Sequence, residues 1–161
     1  MRQEHNIGSL FDEKSKVLIL GSFPSVKSRE QGFFYGHPQN RFWKVLSAIL
    51  CEQLPKTIDE KRIMLIKNNI ALWDVIASCD ILGSSDSSIK NVRPNDISII
   101  LDTADIKAIF TNGKTSFNLY NKYILPNTDI NPIYLPSTSP ANAAFSVERL
   151  IDEWKIIKEY L

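Results

Sequence analysis

The stretch KVLILGSFPS, residues 16 to 25, decides the fold. Its apolar residues are continuous and do not alternate with polar ones, as in a strand covered on both faces, and Gly21 ends the run. Three similar runs follow along the chain: IALWDVI (70–76), IKAIFTN (106–112) and NPIYLPS (131–137). Because strands buried on both faces are typical of parallel sheets, the sequence predicts a parallel sheet built from these four runs.

Helical patterns lie between these runs. After HPQN (37–40), apolar residues at three-and-four spacing predict a helix with one buried face: Phe42, Val45, Leu46, Ile49 and Leu50. Thr57 and Glu60 have the spacing of a capping box at the start of a second helix, and Ile63 and Ile66 are expected on its inner side.

Ser146 can cap a last helix, whose apolar face extends from Val147 to Leu161. Strands that alternate with helices predict a layered α/β fold. In such folds ligands bind beyond the carboxyl ends of the strands, so the site is expected there.

Composition favours one folded domain formed by residues 1–161, with 43% hydrophobic and 23% charged residues. No apolar run has the length of a membrane span and no signal peptide is visible, so we expect a cytoplasmic protein without membrane contacts. Cys51 and Cys79 lack paired spacing, and only His5 and His37 could add imidazole ligands. We therefore expect no metal.

Charge gives no general sign of a nucleic-acid partner, because the net charge is +1 and phosphate-binding proteins usually carry a basic face. Basic residues do cluster in the first third of the chain: Lys14, Lys16, Lys27, Arg29, Arg41 and Lys44. A mixed solvated surface and a basic stripe both fit this pattern.

The segments after the predicted strands, GSFPSVKS, DVIASCD, TNGKTS and PSTSPANA, are rich in hydroxyls, amides and small residues. Their placement at one rim indicates a binding site. Gly21 permits close approach of another group, and exposed N–H groups after it can hold an anion or a carbonyl oxygen. GSFPSVKS lacks the glycine spacing of nucleotide-binding loops, so no nucleotide cofactor is expected.

The segment FYGHPQNRFW, residues 34 to 43, combines aromatic rings with polar groups. Phe42 belongs to the helical stripe and is expected in the core, whereas Tyr35 offers a flat face for stacking. His37 either caps the helix or contacts a ligand. Asn40 can give one donor and one acceptor to a base edge, or position a water molecule.

Together GSFPS, FYGHPQNRFW, LWDVI, SSIKN and LPSTSPANA resemble, in order, the motifs of the uracil-DNA glycosylase superfamily, and of its hypoxanthine-DNA glycosylase branch in particular. The resemblance implies a three-layer α/β/α sandwich with a short, mainly parallel four-stranded central sheet. It also implies cleavage of an N-glycosidic bond without a metal or other cofactor.

The resemblance also implies roles for individual residues. Asn40 is the leading catalytic residue of the hypoxanthine branch, and Tyr35 aligns with the aromatic residue that stacks on the flipped base. LPSTSPANA aligns with the motif that holds the DNA backbone, through Ser137, Thr138, Ser139 and Asn142. The first motif has no asparagine among Ser22, Phe23 and Pro24, which favours a deaminated purine over uracil.

Residue chemistry adds to these roles. The base-binding candidates are Gly21, Ser22, Phe23, Tyr35 and His37. The N–H groups of Ser22 and Phe23 would donate to the carbonyl of hypoxanthine and oppose the amino group of adenine. Asp74 is a candidate general base or stabiliser of positive charge on the sugar, and Asp86 is a further candidate.

The predicted function is therefore excision of a deaminated base, hypoxanthine first, from double-stranded DNA after base flipping. The alternatives are a glycosylase for uracil or thymine opposite guanine, a non-catalytic module that binds damaged DNA, and a hydrolase of free nucleosides. No obligate protein partner is predicted.

Overall fold

A computed structural model describes residues 2–161. Its strands are β1 (Arg2–Glu4), β2 (Val17–Gly21), β3 (Ile70–Asp74), β4 (Ile76–Asp80), β5 (Lys90–Pro94), β6 (Ala108–Asn112) and β7 (Ile133–Leu135). Its helices are α1 (Val26–Gln31), α2 (Phe42–Leu50), α3 (Ile58–Lys67), α4 (Ser98–Thr103), α5 (Lys114–Tyr123), α6 (Leu125–Thr128) and α7 (Val147–Trp154). Short 3₁₀ turns span Asp86–Ser88 and Lys155–Tyr160.

The main sheet has the strand order β3-β2-β6-β7, and each neighbouring pair is parallel. The four apolar runs of the sequence supply these strands, which confirms the predicted sheet. Residues of β2 alternate between two cores: Val17 and Ile19 pack with α2, α3 and α7, whereas Leu18 and Leu20 pack with α4 and α5. The sheet is thus covered on both faces, as a three-layer sandwich requires.

A second, antiparallel sheet of order β1-β4-β5 was not predicted. The run IALWDVI was expected to be one strand, but β3 ends at Asp74 and the chain enters β4 at Ile76. Asn95 fixes this change of sheet, because its Nδ2 donates to the carbonyls of Asp74 and Ile76 at 2.9 and 3.1 Å. Asp74 consequently lies where the two sheets meet.

The N-terminal segment connects the two sheets. β1 pairs with β4, the N–H of His5 donates to the carbonyl of Ala77 at 2.7 Å, and Leu10 exchanges two backbone hydrogen bonds with Leu72. These bonds bring His5 beside the carboxyl end of β3, sixty-nine positions away from Asp74 in the chain.

The helix caps agree with the sequence. The side chains of Thr57 and Ser146 accept hydrogen bonds from the N–H groups of Glu60 and Arg149. The inner face of α3 was predicted correctly for Ile66, which packs against the core, and wrongly for Ile63, which is 64% exposed. Met64 and Leu65 are buried instead. No helix within residues 2–161 combines the length and the apolar character needed to cross a membrane.

Candidate active site

A cavity of about 710 Å³ opens at the carboxyl ends of the parallel strands. This volume lies within the roughly 300–1,000 Å³ that is typical of small-molecule sites. The structure brings every site residue predicted from the sequence to its wall: Gly21, Ser22, Phe23, Tyr35, His37, Asn40, Asp74, Ser137, Thr138, Ser139 and Asn142. Those that follow strands converge because the carboxyl ends of parallel strands meet at one edge of a sheet, and the loop between α1 and α2 adds Tyr35, His37 and Asn40.

Asn40 is held by two hydrogen bonds to its carbonyl oxygen. Oδ1 accepts from the N–H of Phe42 at 2.9 Å and from the hydroxyl of Thr138 at 2.9 Å. Because a carbonyl oxygen has two lone pairs, both acceptor positions are used. The Nδ2 group donates to no other residue of the described chain, 2–161. The sequence predicted that the Asn40 side chain offers one donor and one acceptor to a ligand. The acceptor is already used, so Asn40 presents only N–H donors to the cavity.

Thr138 was predicted to contact the DNA backbone, and this role is corrected by its position. It is fully buried, and its hydroxyl accepts from Asn112 Nδ2 at 3.0 Å while it donates to Asn40. The N–H of Thr138 also donates to Asn112 Oδ1 at 3.1 Å. Thr138 therefore connects the end of β6 to Asn40 and fixes the orientation of the Asn40 amide.

Arg41 holds the loop between β7 and α7. Its guanidinium donates to backbone carbonyls of Thr138 at 3.4 Å, Ser139 at 2.8 Å and Asn142 at 3.0 Å, and also to that of Phe145. These bonds use the directional donors of arginine to fix a loop that lacks regular structure. Arg41 is thus a structural part of the site and not a free charge of a basic stripe.

The same loop is braced internally. Asn142 Nδ2 donates to the carbonyl of Ser137 at 3.0 Å, and the Ser137 hydroxyl accepts from the N–H of Ser139 at 3.1 Å. The three residues are half-buried. Lys114, the first residue of α5, lies on the adjoining wall of the cavity and is exposed. The loop and Lys114 together form a polar rim.

Tyr35 has a strained backbone and a buried hydroxyl. Its φ of 53° lies in the left-handed region, which costs a non-glycine residue of order 1–3 kcal/mol and is often found at functional sites. Its ring stacks on Phe42 with centroids 4.0 Å apart, and Trp43 Nε1 donates to its carbonyl at 3.2 Å. Burial raises the pKa of the Tyr35 hydroxyl strongly, and the negative charge of Asp74 raises it further. The nearby Asn112 side chain lowers this pKa.

The Tyr35 hydroxyl therefore stays protonated and acts as a donor. Among residues 2–161 it has no hydrogen-bond partner. An unsatisfied buried hydroxyl costs stability, of order 1–3 kcal/mol, unless a ligand or water completes it. Its place at the cavity wall is consistent with a polar ligand.

Asp74 lies at the same wall and forms a buried pair with His5, which does not itself line the cavity. His5 Nε2 lies 2.7 Å from Asp74 Oδ2, and the two side chains are 3% and 5% exposed. Sequence reasoning considered His5 only as a metal ligand. Within residues 2–161, no group of three His, Cys, Asp or Glu side chains is arranged to hold a metal ion.

Asp86 provides a second carboxylate, beside Ser22. Its Oδ1 accepts from the Ser22 hydroxyl at 3.1 Å, and its side chain lines the cavity while remaining in contact with solvent. Crowding by protein atoms raises the pKa of the Asp86 carboxyl, the Ser22 bond opposes this, and the charge of Asp74 adds to it.

His37 stabilises the turn before α2. Its Nδ1 accepts from the N–H of Gln39 at 3.1 Å, and its carbonyl accepts from the N–H of Asn40 at 2.9 Å. Both sequence interpretations are therefore compatible with its place, because the ring also lines the cavity.

Comparison with known proteins decides the family. Residues 9–158 match the Uracil DNA glycosylase superfamily, which is most of the chain. The chain belongs to this superfamily.

Two relatives are similar to this uracil DNA glycosylase superfamily member over much of their length. A protein of Methanosarcina acetivorans named hypoxanthine DNA glycosylase is 33% identical over 151 residues, which cover 92% of this chain and 94% of the relative. A protein of the same name from Methanosarcina barkeri is 38% identical over 109 residues, which cover 66% and 69% of the two chains.

The fold is also similar to that of a solved structure. The solution NMR structure of a candidate uracil DNA glycosylase from M. acetivorans superposes with a TM-score of 0.82 at 31% identity. The superposition covers 98% of this chain and 96% of that one.

Three features of this superfamily member were missed from the sequence. They are the His5–Asp74 pair, the loop contacts of Arg41 and the link from Asn112 through Thr138 to Asn40. Each joins residues far apart in the chain, so no local spacing signals it. Asn112 was not proposed for the site, although it had a sequence signal, since it is a polar residue at the end of a predicted strand.

Proposed function

We propose that the protein removes hypoxanthine from deoxyinosine in double-stranded DNA by hydrolysing the N-glycosidic bond, which leaves an abasic site. Membership of the superfamily and the two relatives named hypoxanthine DNA glycosylase support this function. The observation that carries it is the orientation of Asn40, whose amide is fixed as a donor in the same cavity as the ring of Tyr35.

The base must leave the DNA stack before it reaches the cavity. A deaminated base pairs weakly and is cheaper to extrude than a normal one, which already favours damage. Stacking on Tyr35 then contributes about 1–3 kcal/mol. Phe42 supports the opposite face of that ring, so the ring is rigid when the base arrives.

The N–H groups of Ser22 and Phe23 favour the carbonyl of hypoxanthine. Within residues 2–161 neither donates a hydrogen bond to the protein, and both residues line the cavity. Such N–H groups donate to a carbonyl oxygen and leave the amino group of adenine unpaired, which costs binding energy.

In the chemical step the bond between C1′ and N9 breaks, and its electron pair moves to the purine. Positive charge develops on the sugar and negative charge on the base. The Asn40 Nδ2 donors stabilise the departing base. A water oxygen bonds to C1′ and loses its proton, while the purine gains a proton on nitrogen.

We assign the water to Asp86, in place of the role expected for Asp74. The Asp74 side chain is only 5% exposed, whereas the sugar of an extruded nucleotide stays at the mouth of the cavity. Asp86 is exposed at that mouth, and its raised pKa makes it a better proton acceptor than an ordinary carboxylate. Its bond from Ser22 fixes its direction.

The DNA backbone would run along the polar rim formed by Lys114, Ser137, Ser139 and the N–H groups of the loop held by Arg41. Rigid loops with hydroxyl and N–H donors are typical phosphate contacts. Ser137, Ser139 and Asn142 thus keep the DNA-backbone role predicted for their motif, whereas Thr138 does not.

Labelled duplexes containing inosine, uracil, thymine opposite guanine, or xanthine test the proposal. The enzyme is incubated with each duplex, and abasic sites are revealed by alkaline cleavage. We expect cleavage at inosine to be fastest. Faster cleavage at uracil or thymine would assign a different base, and binding without cleavage would indicate a non-catalytic module. Hydrolysis of free inosine in preference to duplex would indicate a nucleoside hydrolase.

A further inference from the structure

The His5–Asp74 pair has a defined proton arrangement. The N–H of Ile7 donates to His5 Nδ1 at 3.2 Å, so Nδ1 acts as an acceptor and carries no proton. The proton of the neutral ring is then on Nε2, which donates to Asp74 Oδ2 at 2.7 Å. The result is a neutral imidazole that binds one oxygen of a carboxylate.

His5 is held firmly in this position. Its ring contacts Phe23 and Trp73 edge-on, with centroids 5.9 and 6.3 Å away, and its N–H donates to Ala77. Trp73 Nε1 anchors the same segment by donating to the carbonyl of Ile7 at 3.1 Å. The direction of the Asp74 carboxylate is therefore set by a rigid donor.

The second oxygen of Asp74 remains available at the cavity wall. Oδ1 lies 2.4 Å from the position that a Cβ on Gly21 would occupy, so it reaches across the end of β2. The next residues after Gly21 are Ser22 and Phe23, whose N–H groups have no partner within residues 2–161. The wall thus places one strong acceptor beside two donors.

Deamination creates an edge that matches this wall. Adenine has an acceptor at N1 beside an amino donor, and deamination turns them into an N1–H donor beside a carbonyl acceptor. The N1–H fits Asp74 Oδ1, and the carbonyl fits the loop N–H groups. Adenine matches neither group, because its N1 lone pair would face the carboxylate and its amino group would face the N–H donors.

We propose that His5 is a positioning residue for base selection, which holds Asp74 so that Oδ1 accepts the ring N–H of a deaminated base. This inference rests on the proposed function. The superfamily match begins at residue 9, so the segment that carries His5 lies outside it.

Variants at His5 test the positioning role through single-turnover excision of inosine. His5→Leu removes the donor to Asp74, and excision is expected to fall by about tenfold to a hundredfold, as for misplaced active-site groups. His5→Gln keeps an N–H donor at nearly the same place and is expected to restore most of the rate. Leu10→Ala is the matched control, because Leu10 packs into the core from the same N-terminal segment and takes no part in the His5–Asp74 pair.

The control separates positioning from packing. Leu10→Ala is expected to lower Tm and keep the wild-type rate. A His5→Leu protein that is folded and excises at the wild-type rate would overturn the inference. So would equal losses in His5→Leu, His5→Gln and Leu10→Ala. A wild type that excises no deaminated base would overturn the proposed function instead.

Asp74→Asn tests base selection while His5 keeps its imidazole ring. It therefore tests the inference even if His5→Leu does not fold. His5 would bind the amide oxygen, so an NH₂ donor would replace the acceptor in the cavity. Binding is measured with duplexes carrying deoxyinosine or deoxynebularine, whose N1 is an acceptor, both made uncleavable by 2′-fluorination. We expect the variant to lose the wild-type preference for inosine over nebularine. An unchanged preference would contradict the inference.

Discussion

Gly21 and Asp74 lie side by side at the carboxyl ends of β2 and β3, and a Cβ on Gly21 would stand 2.4 Å from Asp74 Oδ1. The same Cβ would lie 3.1 Å from the Tyr35 hydroxyl. Glycine is therefore required for space: only without a side chain at this position do the carboxylate and the phenol both reach the end of the strand.

Gly21→Ala is expected to displace the Asp74 carboxylate, because the other oxygen is held by His5 and the clash cannot be relieved by a free rotation. We expect single-turnover excision of inosine to fall by about a hundredfold, as for a displacement of about 1 Å in an active site. Far-UV circular dichroism should stay unchanged. If Gly21→Ala excises inosine at the wild-type rate, the close approach of Asp74 and Tyr35 to Gly21 has no role in catalysis.

Thr138→Val is expected to release Asn40, because valine keeps the shape of threonine but loses the hydroxyl that donates to Asn40 Oδ1. We expect kcat on an inosine duplex to fall by about tenfold or more while the Kd for DNA stays constant. Thr138→Ser keeps the hydroxyl and is the matched control. A weaker Kd with a lower salt dependence in Thr138→Val would instead restore its predicted contact with the DNA backbone.

Lys114→Ala is expected to weaken DNA binding uniformly across sequences. If Lys114 contacts one phosphate, the slope of log K against log salt concentration falls in magnitude by about 1. Lys122 occupies the last turn of the same helix and does not line the cavity, so Lys122→Ala is the control. Equal slopes for wild type and Lys114→Ala, measured by fluorescence anisotropy, would remove Lys114 from the interface.

Asp86→Asn is expected to raise Tm while it lowers excision. Folding raises the pKa of Asp86, so the folded protein binds this proton more tightly than the unfolded chain. Above its raised pKa the charged Asp86 carboxylate therefore lowers the free energy of unfolding. This loss disappears at acid pH, where the carboxyl is protonated in both states. The gain in Tm of the variant should accordingly be present near neutral pH and vanish at acid pH. It should be small, because the side chain is exposed to solvent.

The stability and the activity of Asp86→Asn distinguish two roles. Asparagine still accepts from the Ser22 hydroxyl, so the loop should keep its conformation. A variant that gains stability and keeps full excision would show that Asp86 does not act on the water.

Much of this site was predictable because its residues follow buried strands. Continuous apolar runs identified β2, β3, β6 and β7, and parallel strands bring the residues after them, such as Gly21 and Ser137, to one rim. The capping residues Thr57 and Ser146 were predictable because each acts on a residue only three positions away.

The remaining features depend on long-range contacts or on ambiguous patterns. The change of sheet at Val75 comes directly after Asp74, and apolar residues continue at Val75 and Ile76, so the apolar pattern alone does not separate β3 from β4. Ile63 to Ile66 are consecutive apolar residues, which assign no single inner face to α3. Hydroxyls in the loop between β7 and α7 look equivalent in the sequence, although Thr138 is buried and Ser137 and Ser139 are half-buried.

The most direct measurement is a crystal structure with a duplex carrying deoxyinosine, made uncleavable by a fluorine at C2′. We predict hypoxanthine inside the cavity, flat on the Tyr35 ring, with Asn40 Nδ2 about 2.7–3.2 Å from an acceptor of the base. A duplex bound at this rim with its hypoxanthine still stacked in the helix, and the cavity free of the base, would contradict it.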